Sequence, residues 1–402
     1  MYIKKCRVCN SKKLKKILNF GDQPWCNDFL RKKDLGKEKK YPLNLIFCDF
    51  CKTPQLNFTV KKEIMFSNHT YLSGITDTLR KHFKTIAIDL NKKFNKNGST
   101  KSILDIGSND GTFLEQFKIF KWSLLGVESS KNICQIANKK KIKTLNFFFN
   151  EKIAKKIDRK FDFINASGVF FHLEELYSFT KGVKNLLNEK GVFIVQFLYM
   201  KSIVTNVAFD QIYHEHLIYY NLKNLSFLLN KFDLEIFDCY LTSAHGGQMV
   251  CYISHKKKYK RTKRLQRYII LEKKLKCNSY NYYKNFAKKV SVLKNKNIKF
   301  IDNCKKKKLS ICGIGAPAKG NTLLNYFKIS NKDISIILEK NKLRFGMYTP
   351  GSHILIKEEK KSNMNFDVFY VLAWNFKKEI LKNYYNKYKN KKKFFFPINV
   401  KI

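Results

Sequence analysis

The chain has 402 residues, room for two or three domains at ~150 residues each, and its 44% hydrophobic and 15% aromatic content excludes intrinsic disorder. Its 80 Lys and Arg against 31 Asp and Glu give a formal charge of +49, but the lysines are spread along the chain and form no stripe, so a nucleic-acid partner is not expected. No run reaches the ~18 apolar residues of a membrane span, and Met1-Tyr2-Ile3-Lys4-Lys5-Cys6 has no signal-peptide core behind its charges, so a cytoplasmic protein without a membrane partner is expected.

Eleven cysteines in that setting point away from a disulfide framework. Cys6-x-x-Cys9 and Cys48-x-x-Cys51 each place two sulfurs on a tight turn, and two such turns complete a tetrahedron around zinc. Four thiolates leave no open position for a substrate, so the predicted metal is structural. Residues 10–47 between the pairs must carry structure of their own.

Residues 102–114, SILDIGSNDGTFL, read as an apolar strand, a Gly-containing turn and a helix. Strand-like runs follow at residues 124–128, 161–166 and 191–197, separated by helix-like stretches such as 173–187. This alternation predicts a doubly wound parallel sheet. Residues 234–241 and 249–254 have no helix between them and predict an antiparallel pair at the sheet edge. Residues 255–299 are Lys-rich, with Phe286, Val290 and Leu293 at helical intervals, and predict a solvated connecting helix or two. A second strand–turn–helix begins at residue 309, and strands are expected at 334–338 and 367–373. The fold expected is α/β: two αβ domains behind a small zinc-bound head, divided at 1–68, 69–256 and 257–402.

Both Gly-rich turns could hold a nucleotide. In the first, Asp105 closes the strand, Gly107 and Gly111 permit close backbone approach, and Glu128 ends the next strand, where an acid accepts ribose hydroxyls. Asn109 occupies the middle glycine position of the dinucleotide fingerprint, and the carboxylates of Asp105 and Asp110 would repel a pyrophosphate. They favour S-adenosylmethionine, which carries a sulfonium and an ammonium. The expected cofactor set is Asp105, Gly107, Asn109, Asp110, Gly111 and Glu128. The second turn, Gly313-x-Gly315-x-x-Ala318 with Glu339 beyond it, fits the relaxed dinucleotide pattern, although Pro317 removes an N–H from it. Lys319 is expected to meet an anion there.

Asp210 and Tyr213-His214-Glu215-His216 follow the fifth strand. His214 and His216 alternate as in a strand and could share a face as metal ligands. In the other reading one His abstracts a proton while Glu215 orients or charges it.

The ordered set of motifs resembles the sugar C-methyltransferases that use S-adenosylmethionine on nucleotide-linked 4-keto-6-deoxy-hexoses, typically at C-3′. It runs through Cys6-x-x-Cys9, Gly21-Asp22-Gln23-Pro24, Asn27-Asp28-Phe29 and Cys48-x-x-Cys51, then Tyr71-Leu72-Ser73-Gly74, the Asp105–Gly111 turn and His172. It continues through 209–216, His245-Gly246-Gly247, residues 315–321 and Pro350-Gly351. The resemblance implies a zinc-binding N-terminal domain, a central Rossmann-like methyltransferase sheet and a C-terminal Rossmann-like domain without NAD. It implies a nucleotide-diphosphate sugar in the cleft between them, and a monomer. By the same resemblance His216 is the base with Glu215 beside it, and Tyr71, His172 and Tyr213 line the pocket as sugar-holding or enolate-stabilising groups. The chain departs from the family at Gly168, where Asn is usual, and at Cys26, Gln248 and Glu339. A methyltransferase on another carbon acid or on a sugar oxygen, a zinc-ribbon nucleic-acid binder and a dehydrogenase are the competing readings.

Overall fold

The computed structural model describes residues 1–67, 72–75, 77–95, 97–242, 246–359, 365–388 and 393–398. The N-terminal part is an antiparallel meander of β1 (Leu14–Pro24), β2 (Lys40–Cys48) and β3 (Pro54–Leu56). Two helices, α1 (Lys62–Phe66) and α2 (Asp77–Phe94), lead into the central sheet.

In that sheet, strands and helices alternate as their apolar runs require. They are β4 (Ser102–Ile106), α3 (Thr112–Glu115), β5 (Ser123–Val127), α4 (Lys131–Lys139), β6 (Thr144–Leu145), α5 (Glu151–Ile157), β7 (Phe161–Ser167), α6 (Leu176–Leu186) and β8 (Leu187–Leu198). Helices α7 (Met200–Asn206) and α8 (Leu222–Asn230) precede an antiparallel pair, β9 (Leu234–Thr242) and β10 (Gln248–His255). The strand order is β6-β5-β4-β7-β8-β10-β9, parallel except that β10 runs against both neighbours. The last eight residues of β8 are all buried, because helices cover both faces of a parallel sheet. β4 lies between β5 and β7, so the crossovers diverge at its carboxyl end and open a crevice there.

Helices α9 (Lys263–Lys274) and α10 (Tyr280–Lys306) connect to a second parallel sheet. It is formed by β11 (Ile311–Ile314), β12 (Ile336–Glu339), β13 (Leu355–Glu358), β14 (Val368–Val371) and β15 (Lys393–Phe395), with α11 (Ala318–Phe327) and α12 (Lys377–Tyr388) between strands. Its order, β13-β12-β11-β14-β15, again puts the Gly-rich turn at the switch point.

The solvated connector expected from the Lys content is corrected by α10. Tyr283, Phe286, Val290, Ile301 and Cys304 form a buried stripe along it, and only its other face carries the lysines. Tyr280 Oη donates to Lys16 O of β1 at 2.8 Å, while Asn297 accepts from Tyr370 Oη of β14 at 2.7 Å. The helix is a spine joining the N-terminal meander to the C-terminal sheet.

Candidate active site and zinc centre

Each Cys-x-x-Cys pair is made by a turn closed by its own backbone. Asn10 N donates to Cys6 O and Lys52 N to Cys48 O, both at 2.9 Å, with Asn10 and Lys52 left-handed. The turns bring the four sulfurs within 4.8 Å of one another, with Cys6–Cys51 and Cys9–Cys48 at 3.5 Å. A tetrahedron with Zn–S bonds of ~2.3 Å has S–S edges of about 3.8 Å, so the cluster fits zinc. Gln55 Nε2 and Val8 N point at Cys6 Sγ, at 3.0 and 3.4 Å, as donors do around a thiolate. Hydrogen bonds from Cys51 and Cys6 hold the Cys48 thiol far below its ordinary range, while Cys6 is pushed up. A divalent cation resolves that conflict by stabilising all four as thiolates.

At the end of β4, Gly107 has φ +73°, and a Cβ there would lie 2.3 Å from Val169 Cγ2. Asn109 follows with φ 50°, a conformation Asn tolerates, and its N–H donates to Glu128 Oε2 at 2.9 Å. Glu128 Oε1 accepts from Ser130 N at 2.8 Å, so this acid braces both loops of the crevice. Asp105 is buried and accepts from Asn165 Nδ2 at 2.7 Å. Burial pushes its carboxyl up to about 8, Glu128 adds to the rise, and the Asn165 bond opposes it. Asp110 is held differently: Lys140 Nζ lies at 2.9 Å and Thr112 Oγ1 donates at 2.7 Å. Its charge is therefore balanced by Lys140 at the end of α4. Ser73 N donates to Asn109 Oδ1 at 2.8 Å, which places the 73–74 segment over the turn.

The 209–216 segment crosses the head of the same sheet. His216 Nδ1 donates to Gln211 O at 2.7 Å, and His172 Nδ1 donates to Glu215 O at 2.6 Å. A carbonyl only accepts, so these bonds put the proton of each neutral imidazole on Nδ1 and the lone pair on Nε2. The two ring centroids lie 5.1 Å apart, and the Tyr213 ring packs against His216 with centroids 3.8 Å apart and planes tilted by 39°. Burial raises the Tyr213 hydroxyl, with Glu215 adding to the rise, which keeps it a phenol able to donate.

Glu215 is not turned to its neighbouring histidine as an orienting group. Its Oε1 accepts from Trp25 Nε1 at 2.7 Å and Asn27 Nδ2 at 2.5 Å, both from the N-terminal part. Burial raises this carboxyl, and those two bonds oppose the rise. His214 faces away from His216, with Nε2 donating to Tyr41 O at 3.1 Å, and burial pushes its pKa down to about 4. A shared metal face for the two is thereby excluded, and among the described residues the four cysteines are the group able to hold a metal. Tyr71 and His245 lie outside the described residues.

Three further expectations change. Lys319 does not face an anion from the turn: its Nζ lies 4.0 Å from Asp210 Oδ2 and 3.5 Å from the Trp374 ring centroid. Pro317 caps α11, where a missing N–H costs nothing, and Glu339 Oε2 accepts from Ala316 N at 2.7 Å. Gly168 has φ +75° with nothing within 4 Å of a Cβ, so a residue that tolerates the left-handed region, such as Asn, would fit there without displacing a neighbour. The sequence reading missed His82, whose Nε2 lies 3.0 Å from Gln196 Oε1; Gln248, marked in sequence only as a departure from the family, pairs with the same Gln196. It also missed Trp374, whose Nε1 donates to Asp210 Oδ2 at 2.6 Å. Asp210, a lone acid in an apolar segment, was the available signal for a buried partner.

Comparison with known families matches three consecutive stretches: a zinc binding domain at residues 6–66, a methyltransferase domain at 79–238, and a C-methyltransferase C-terminal domain at 243–399. The C-methyltransferase NovU of Streptomyces niveus is 24% identical over 404 residues, spanning 98% of this chain and 96% of that protein. Among solved structures, the plantazolicin methyltransferase BpumL is 18% identical with a TM-score of 0.37, over 45% of this chain and 87% of its own. Magnesium protoporphyrin IX methyltransferase of Synechocystis PCC 6803 is 12% identical with a TM-score of 0.35, over 44% of this chain and 87% of its own. The three matched domains, in this order, and the full-length relative support an S-adenosylmethionine-dependent C-methyltransferase with a zinc-binding N-terminal domain.

Proposed function

We propose that the enzyme methylates C-3′ of a nucleotide-linked 4-keto-6-deoxy sugar, with His216 as the base. The observation that carries this reading is the Nδ1–H of His216 bonded to the Gln211 carbonyl, which presents Nε2 as a lone pair at the head of the methyltransferase sheet. A carbon beside a ketone loses its proton when the charge can move onto the carbonyl oxygen, so a neutral imidazole suffices as base. His216 Nε2 takes the C-3′ proton, and Tyr213 donates a hydrogen bond to the enolate oxygen; His172, whose Nδ1–H is committed to Glu215 O, lines the pocket and donates from Nε2 only as the imidazolium. Tyr71 is assigned to the same pocket from the family resemblance. Glu215 holds the 213–216 segment against the N-terminal domain.

Asp105, Gly107, Asn109, Asp110, Gly111 and Glu128 would hold S-adenosylmethionine, which when bound supplies the electrophilic methyl group. A crevice that held both the sugar carbon and that methyl would supply proximity and orientation to the transfer. This reading takes residues 1–68, 69–256 and 257–402 as the three domains and the protein as a cytoplasmic monomer without a nucleic-acid partner. Among the described residues no helix is long and apolar enough to cross a membrane.

The test is incubation with S-adenosylmethionine and a panel of 4-keto nucleotide sugars in heavy water. One sugar should gain deuterium and then methyl at C-3′, and His216→Asn should abolish both. If exchange and methylation survive in that variant, the base is another residue; if O-methylated product forms without exchange, the carbon-acid reading fails.

A further inference from the structure

The segment Gly315-Ala316-Pro317-Ala318-Lys319-Gly320-Asn321 belongs neither to the zinc centre nor to the methyl-donor crevice. It forms the entry to α11, and α11 begins where all three parts of the molecule meet. Asn321 Nδ2 donates to Cys26 O of the N-terminal part at 2.7 Å. Two residues earlier, Lys319 Nζ is buried 4.0 Å from Asp210 Oδ2, against the Trp374 ring, and has no hydrogen-bond partner among the described residues. Trp374 Nε1 donates to that same Oδ2 at 2.6 Å, and among the described residues Asp210 Oδ1 is buried with no side-chain partner.

Asp210 is fully buried within the single turn Phe209–Gln211. The next residue's carbonyl, Gln211 O, is the acceptor for His216 Nδ1 at 2.7 Å. Two side chains of the C-terminal domain therefore grip the turn that fixes the imidazole of the central domain. We propose that Lys319 and Trp374 are positioning residues for His216, acting through Asp210 and the Gln211 carbonyl.

The physical argument is one of partners. A buried carboxylate must be paired, or its backbone moves to find water. Burial raises Asp210 and lowers Lys319 to about 8, so each is stabilised in its charged form chiefly by the other. Loss of either grip frees the 209–211 turn, and Gln211 O moves with it. An imidazole without that acceptor also populates the Nε2–H tautomer, which cannot take a proton at Nε2.

The inference rests on His216 as the base, and its test reads the imidazole directly. Full-length protein carrying ¹⁵N-labelled imidazoles is examined by NMR, with His216 assigned from the signal lost in H216N. Wild type should show the Nδ1–H tautomer, and Trp374→Phe and Lys319→Met should each shift His216 toward a tautomer mixture. With the sugar found above, kcat should fall about 10- to 100-fold while KM for the sugar changes little. Lys319→Arg, which keeps the charge, should recover part of the rate. An unchanged tautomer and rate in both W374F and K319M would overturn the proposal. If K319M fails to fold, W374F, which loses one hydrogen bond and keeps an aromatic ring, decides. Should H216N retain exchange and methylation, the base assignment fails, while the NMR result still decides whether the grip sets the imidazole.

Discussion

Asp105 shows how one buried carboxyl can be set against stability. Its folded pKa of about 8 lies above the ordinary 3.8, because burial disfavours the carboxylate. The fold therefore holds a proton that the unfolded chain releases, so this group's contribution is full below the unfolded value and is lost as pH rises toward 8. Asp105→Asn removes the titration. Between pH 4 and 8 the stability of the ligand-free variant should rise relative to wild type, by roughly 1–3 kcal/mol at the upper end. Denaturant melts at several pH values check this, and a pH-independent difference would refute it. The same substitution should weaken S-adenosylmethionine binding, since the cation then binds without its buried counter-charge.

At the scale of the element, the β4–α3 turn works because its backbone is left-handed where L side chains resist. Gly107 combines φ +73° with a Cβ position 2.3 Å from Val169 Cγ2. Gly107→Ala must displace Val169 and strain the turn, a cost of about 1–3 kcal/mol for the backbone alone. We expect folded protein by circular dichroism and at least a tenfold loss of S-adenosylmethionine affinity by calorimetry, since ~1.4 kcal/mol is tenfold in binding. Wild-type affinity in this variant would remove the turn from the binding site. This element was legible from sequence because strand, glycine and helix are adjacent in the chain. The thiolate pairs were legible for the same reason, each being a local turn.

For the whole molecule, the N-terminal domain does more than carry a metal. Trp25 and Asn27 hold Glu215 across a sequence separation of 190 and 188 residues, and Asn321 holds Cys26 O from the other side. Chelation of zinc should loosen the β1–β3 meander, and with it the 213–216 segment. Hydrogen exchange should quicken in both regions together, methyl transfer should fall, and added zinc should restore both. Exchange that quickens in the meander alone, with activity kept, would show that Glu215 is held without the metal. The charge of +49 takes little part in these three hydrogen bonds, whose donors Trp25, Asn27 and Asn321 are uncharged.

The sequence by itself determined the parts of this protein whose physics is local: two thiolate turns, two strand–glycine–helix units, and alternating apolar runs that fold into parallel sheets. It also marked 209–216 as chemically loaded, but not which way each side chain turns. Only the tertiary structure sent Glu215 to Trp25, His214 to Tyr41 and Lys319 to Asp210. Those choices depend on which buried polar groups meet when three domains close on one another. Trp374 and Asp210 are 164 residues apart, and no local pattern can announce a hydrogen bond made only when the chain is complete.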